Sequence, residues 1–88
     1  MRIGAHVSAA GGADKTVGRA MDIGAEAVQF FPSSNRTWAF KPVDEKVAAD
    51  FKTLALEHGI GPNVFHAIYM VGLASPDPEL VRKSIQSL

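Results

Sequence analysis

Few side chains in this sequence could perform chemistry, and the histidines are the clearest of them. The chain has three histidines and no cysteine, so a metal site would have to use His, Asp or Glu, and a thiol nucleophile is excluded. His66 ends an apolar run, where a neutral imidazole can bind a metal ion through one ring nitrogen. His6 ends a similar run near the start of the chain. Neither has a second histidine four residues away, so a hydrogen-bonded structural histidine stays the alternative for each.

The segment from Pro32 to Pro42 offers a different chemistry. It contains Arg36, Trp38 and Lys41 but no Asp or Glu. A guanidinium beside an indole suits contact with phosphate groups and insertion of a side chain between bases. A solvated arginine and a tryptophan that fills its own loop are the alternative.

Two hydroxyl groups lie near the histidines in sequence. Tyr69 follows His66 by three residues, and its phenol could contact a ligand or simply lie at a wet boundary. Ser8 precedes Gly11 and Gly12. It could hold an anion at the start of a helix, although a capping serine with two flexible glycines would give the same sequence.

Strand and helix patterns alternate three times along the chain. Short apolar runs predict strands within 2–7, 25–31 and 60–66. Apolar residues at helical spacing, with capping residues, predict helices from about 13 to 24, 44 to 58 and 75 to 88. In the third helix the spacing predicts that Val81, Ile85 and Leu88 face the core.

This alternation predicts an α/β fold with parallel strands and right-handed crossovers. Three parallel strands leave unpaired sheet edges, so the sheet should be part of a larger one. In such folds the loops at the carboxyl ends of the strands carry ligands and catalytic groups. Those loops are predicted at 6–12, 32–42 and 66–75.

Composition excludes several classes of protein. Nine basic residues balance nine acidic ones, and 47% of residues are hydrophobic, so no strong net field attracts nucleic acid or a membrane surface. No apolar stretch approaches the ~20 residues that a spanning helix needs. We therefore expect no membrane association, and the absence of cysteine fits a cytoplasmic location.

Three motifs together resemble a known family. In chain order they are Ile3-Gly4-Ala5-His6-Val7-Ser8 with Gly11-Gly12, Phe31 with Asn35-Arg36-Thr37-Trp38, and His66-Ala67-Ile68-Tyr69 with Leu73-Ala74-Ser75-Pro76. Their order and spacing resemble the N-terminal part of endonuclease IV, the zinc-dependent apurinic/apyrimidinic endonuclease of base-excision repair. The family commonly has proline in place of Ile68 and asparagine in place of Gly72.

The resemblance implies that residues 1–88 form one incomplete domain, the first three units of a (β/α)₈ TIM barrel. It implies hydrolysis of the phosphodiester 5′ to an abasic site in double-stranded DNA by a trinuclear zinc cluster. By the same motifs His66 is a zinc ligand, Arg36 enters the base stack and Tyr69 lies beside the abasic nucleotide. His6 and Ser8 are implied to lie at the rim of the site or behind its ligands.

A single zinc-ligating histidine cannot hold a zinc cluster, because catalytic zinc takes about three protein ligands. We therefore assign no catalytic residue within these 88 residues and expect the isolated chain to be inactive. Its open sheet edges could instead let copies associate. Two alternatives remain: a sugar isomerase or epimerase with a xylose-isomerase-like barrel, and a non-catalytic α/β interaction module.

Overall fold

The computed structural model describes residues 1–34 and 36–88. Within them three strands and three helices alternate along the chain, as predicted. The elements in order are β1 (Gly4–His6), α1 (Lys15–Asp22), β2 (Ala27–Phe30), α2 (Glu45–Glu57), β3 (Val64–Phe65) and α3 (Pro78–Ser87). The chain forms two compact units: a sheet unit of residues 1–32 and 42–66, and a loop-helix unit of residues 33–41 and 67–88.

The sheet unit contains all three described strands. They are parallel and lie in the order β1-β2-β3. His6 of β1 is in register with Gln29 of β2, and Phe30 of β2 with Phe65 of β3. The fold-class prediction of parallel strands connected by helices is therefore confirmed.

One face of this sheet packs on α1 and α2. Side chains alternate across a strand, so Val7, Val28 and Phe30 point toward the helices and are buried. The other buried members of this core are Val17, Ala20, Ala55 and Ile60. The opposite face carries small and polar side chains at every second position of β1 and β2, namely Gly4, His6, Ala27 and Gln29.

The third strand is much shorter than predicted. The Ile60 amide donates to the Ala55 carbonyl at 2.8 Å, so the backbone of this residue is bonded to the last turn of α2 and not to the sheet. Pro62 has no N–H to give to a ladder. The Asn63 side chain then takes the place of strand backbone, because its Oδ1 accepts from the Val28 amide at 3.2 Å and its Nδ2 donates to the Ile60 carbonyl at 3.2 Å.

The second helix begins and ends where the sequence predicts. Asp44 is its N-cap, and the Asp44 carboxylate accepts from the amides of Lys46 at 2.8 Å and Val47 at 3.3 Å. His58 is its C-cap, followed by Gly59 with φ of 67°. A left-handed residue directly after a helix is the common glycine termination.

The loop-helix unit is held together around Ser84, which is 0% exposed. The Ser84 hydroxyl accepts from the Gly72 amide at 2.9 Å and donates to the Leu80 carbonyl at 2.7 Å. These two bonds fasten the segment before α3 to the helix. Asp77 caps that helix by accepting from the Glu79 amide at 3.0 Å.

The predicted inward stripe of α3 is wrong for Ile85 and Leu88, whereas Val81 is half-buried. Ile85 and Leu88 are 62% and 71% exposed, whereas Leu80 and Ser84 face the preceding segment. The two sets differ by one residue, which is about 100° of rotation about a helix of 3.6 residues per turn. The apolar spacing alone missed this because the buried residue is a serine.

Among the described helices, none has the length and apolar character needed to cross a membrane.

Candidate functional site

Three rings meet at the carboxyl end of the sheet. His6 ends β1, Phe31 follows β2 and His66 follows β3. The ring centroids lie 4.9 Å apart for His6 and Phe31, 4.7 Å for Phe31 and His66, and 5.9 Å for the two histidines. We call these three residues the ring cluster. The structure therefore brings together the two histidines that the sequence singled out.

Backbone hydrogen bonds fix the bases of the loops that leave this end of the sheet. The Val7 amide donates to the Gln29 carbonyl at 2.9 Å, and the His66 amide donates to the Phe30 carbonyl at 2.9 Å. Both bonds continue the parallel ladders one residue beyond the assigned strands. Both histidines are thus attached to ordered backbone, as a binding site on rigid elements requires.

Gln29 is a member of the site that the sequence analysis missed. Its Nε2 lies 3.0 Å from Nδ1 of His6. The two side chains line an open cavity of about 290 Å³ together with Gly4, Ala27 and Val64. The alternation of side chains along β2 could have identified it. Val28 and Phe30 are apolar and point to one face, so the polar Gln29 between them must point to the other.

The first loop is stabilised through Ser8. Its hydroxyl accepts from the Ala10 amide at 3.1 Å, and its carbonyl accepts from the Arg19 guanidinium at 2.7 Å. Ser8 is therefore a turn residue and not the cap of α1, whose N-cap is Asp14 without a side-chain hydrogen bond. Arg19 was not identified from the sequence, since nothing local relates it to a residue eleven positions earlier.

The proposed DNA-contacting side chains belong to the loop-helix unit. Arg36 is exposed, Trp38 is half-buried and Tyr69 is exposed. Near Trp38 the Thr37 hydroxyl accepts from the Ala39 amide at 3.1 Å. Asn35, the first residue of this motif, lies outside the described residues.

Comparison with known proteins gives one consistent result. The chain is 42% identical to a protein of Methanoculleus marisnigri, covering 98% of this chain, and 44% identical to one of Methanosphaerula palustris, covering all of it. Both relatives are named "Probable endonuclease 4". The crystal structure of endonuclease IV from Thermus thermophilus matches 99% of this chain with a TM-score of 0.91 and 35% identity. No protein-family model matches the chain.

The resemblance to endonuclease IV is confirmed.

The chain spans only about a third of these proteins. It covers 30% and 31% of the two relatives and 33% of the Thermus endonuclease IV chain. What the complete relatives do is therefore considered below as a proposal for this chain.

The two departures from the endonuclease IV motifs occupy different surroundings. Ile68 is buried. A Cβ atom added to Gly72 would lie 3.5 Å from Cδ2 of Leu80 and 3.7 Å from Cβ of Ser75, which are ordinary contacts. The position of Gly72 thus has room for the first atom of the asparagine side chain that endonuclease IV commonly has there.

Two members of the ring cluster, His6 and His66, carry imidazole groups. Imidazole is a good ligand for zinc, but a catalytic zinc takes about three protein ligands. The part of the chain that the structure describes contains no group of three or more His, Cys, Asp or Glu placed to hold a metal ion. His66 could therefore contribute to a metal centre that other residues must complete.

Proposed function

We propose that this chain is part of an endonuclease IV-type enzyme of base-excision repair, which hydrolyses the phosphodiester 5′ to an abasic site in double-stranded DNA. The support is the similarity to endonuclease IV over the whole chain, together with the meeting of two histidines at the carboxyl end of a parallel sheet. In α/β folds this end of the sheet is where catalytic groups gather.

In this proposal His66 is a ligand of a zinc cluster. The hydrogen bond from its amide to Phe30 fixes the start of the third loop. Zinc, when bound, would supply an activated hydroxide and neutralise charge on the phosphodiester. The remaining ligands would come from residues other than those described here, so the isolated chain should not cleave DNA.

Arg36 and Tyr69 would contact the DNA. Both are exposed in the loop-helix unit, as side chains that meet a large ligand must be. Loss of a base lowers the cost of unstacking a nucleotide. Arg36 would enter the base stack at the damaged position, and Tyr69 would lie beside the abasic nucleotide.

We propose further that residues 1–88 are a single incomplete domain, the N-terminal part of the barrel, acting in the cytoplasm. Within residues 1–34 and 36–88 no fourth strand pairs with β1 or β3. Isolated copies of the chain would therefore associate through these outer strands.

A segment exchange tests the enzymatic proposal. The corresponding third of Thermus thermophilus endonuclease IV is replaced by these 88 residues, and cleavage of a duplex with one abasic site is measured with zinc. We expect the chimera to cut 5′ to the abasic site and the isolated chain to be inactive. His66→Ala in the chimera should abolish cleavage, whereas His58→Ala, at the exposed end of α2, should not.

Two results would contradict the proposal. One is a folded chimera, with the far-ultraviolet circular dichroism of the host enzyme, that fails to cleave. The other is full cleavage by the His66→Ala chimera, which would remove this histidine from the metal site.

A further inference from the structure

His6 and Gln29 form a side-chain pair on the open face of the sheet. They are in register on β1 and β2, and Nε2 of Gln29 lies 3.0 Å from Nδ1 of His6. Gly4 and Ala27 form the next pair on the same face. Because those two side chains are small, His6 and Gln29 supply the polar atoms of these four residues to the cavity they line.

The chemistry of the two nitrogen atoms determines where the proton of His6 lies. An amide nitrogen of glutamine can only donate. Nδ1 of His6 must then be the acceptor, which leaves the proton of the neutral imidazole on Nε2. A protonated Nε2 is a hydrogen-bond donor and has no lone pair for a metal ion.

We propose that Gln29 is a positioning residue that holds His6 in the Nε2–H tautomer, so that His6 presents a hydrogen-bond donor, and not a metal-binding lone pair, beside His66. The two imidazole centroids are 5.9 Å apart, and this distance alone does not keep both rings from one metal ion. The tautomer divides the work: His66 binds metal and His6 offers a hydrogen-bond donor. That His66 binds a metal ion rests on the proposed function, but the tautomer of His6 does not.

The opposite orientation of the Gln29 amide would give the other tautomer of His6. If Oε1 of Gln29 accepted from Nδ1–H, then Nε2 of His6 would carry a lone pair and could bind a metal. Because the two orientations give different tautomers, the ring nitrogens of His6 discriminate between them.

The test is nuclear magnetic resonance of the histidine ring nitrogens in the 88-residue chain, at an alkaline pH where an ordinary imidazole is neutral. We expect His6 to show a protonated Nε2 and an unprotonated Nδ1. A protonated Nδ1, or the averaged signals of a free imidazole, would overturn the proposal. His58, which caps α2, serves as the comparison ring in the same spectrum.

Two variants separate positioning from simple packing. An ionised carboxylate accepts hydrogen bonds and has none to donate. Gln29→Glu should therefore move the proton of His6 to Nδ1. Gln29→Leu keeps most of the bulk of the side chain but removes the donor, and should return His6 to the tautomer mixture of a free imidazole. Gln86→Leu, on exposed α3, is the matched control and should change nothing at His6. An Nε2–H tautomer that persists in both Gln29 variants would refute a role for Gln29.

Adding zinc to the unmodified chain tests the division of work. We expect the ring nitrogens of His6 to keep their signals, and zinc-dependent displacement of the His6 Nε2 signal would overturn the proposal. The response of His66 is read separately. A silent His66 is compatible with the proposed function, because a single histidine does not hold zinc without the remaining ligands, and the Gln29–His6 pair is judged on its own signals.

Discussion

The two imidazoles of the ring cluster are positioned by the sheet itself. His6 lies at the end of β1, and the register places Gln29 beside it on β2. Phe30 pairs with Phe65, so the next residue of the chain, His66, reaches the same end of the sheet. Phe31 packs against both histidine rings. The short distance between the histidine rings thus depends on the register of the strands. A shift of one residue would turn a histidine side chain to the other face of the sheet and separate the rings.

Arg36 should matter for cleavage and not for folding. Its side chain is exposed, so Arg36→Ala in the Thermus chimera should leave thermal stability unchanged. Loss of a side chain that contacts unstacked bases costs about 1–3 kcal/mol. We expect kcat/KM on an abasic duplex to fall roughly tenfold to a hundredfold.

Lys41→Ala provides the matched control for Arg36, because Lys41 is the other cation of the same exposed segment. Lys41→Ala should lower kcat/KM on the abasic duplex far less than Arg36→Ala does. Equal cleavage by the Arg36→Ala chimera and its parent would show that Arg36 does not contact the DNA in the way proposed.

Residues close to the ends of α2 were enough to predict where this helix begins and ends. Neighbouring residues were not enough to predict the limits of β3 or the buried face of α3. The Asp44 cap of α2 and the glycine that follows it are written within a few residues of its ends. The limits of β3 depend on Asn63, whose partner Val28 is 35 residues away. The buried face of α3 depends on Ser84, whose partner Gly72 is 12 residues away. Such distant partners have no periodic signature in the sequence.

Ser84 should be the most sensitive polar residue of α3. Ser84→Ala would leave the half-buried Gly72 amide without its acceptor, and a buried group without a partner costs about 1–3 kcal/mol. We expect the free energy of unfolding by urea to fall by that amount. Ser87→Ala makes the same change in the last turn of α3, where burial is only partial, and should stay within about 0.5 kcal/mol of the unmodified chain. Equal losses in the two variants would show that the hydroxyl of Ser84 is not a structural link.

For the molecule as a whole, the sequence predicted which histidines meet at the carboxyl end of the sheet, but not the side chains that hydrogen-bond to the residues of this region. His6 and His66 were identified because each ends an apolar run. Gln29 and Arg19 were missed, since each acts on a residue that is near in space and distant along the chain. The open face of the sheet follows from the same alternation that buries the opposite face. The strand order makes β3 an outer strand of the described sheet. Its Val64 and Phe65 are 51% and 66% exposed.

An exposed outer strand with apolar side chains is a template for pairing with another chain. We therefore expect the mass of the isolated chain, measured by light scattering, to rise with concentration. Val64→Lys places a charge on this strand, on the side away from the helices, and should shift the chain toward monomer. Leu56→Lys adds the same charge at an apolar residue of α2 that is 85% exposed, and should leave association unchanged. A chain that remains monomeric at every concentration would contradict the expectation, and so would equal effects of the two lysines, because association would then follow net charge and not the outer strand.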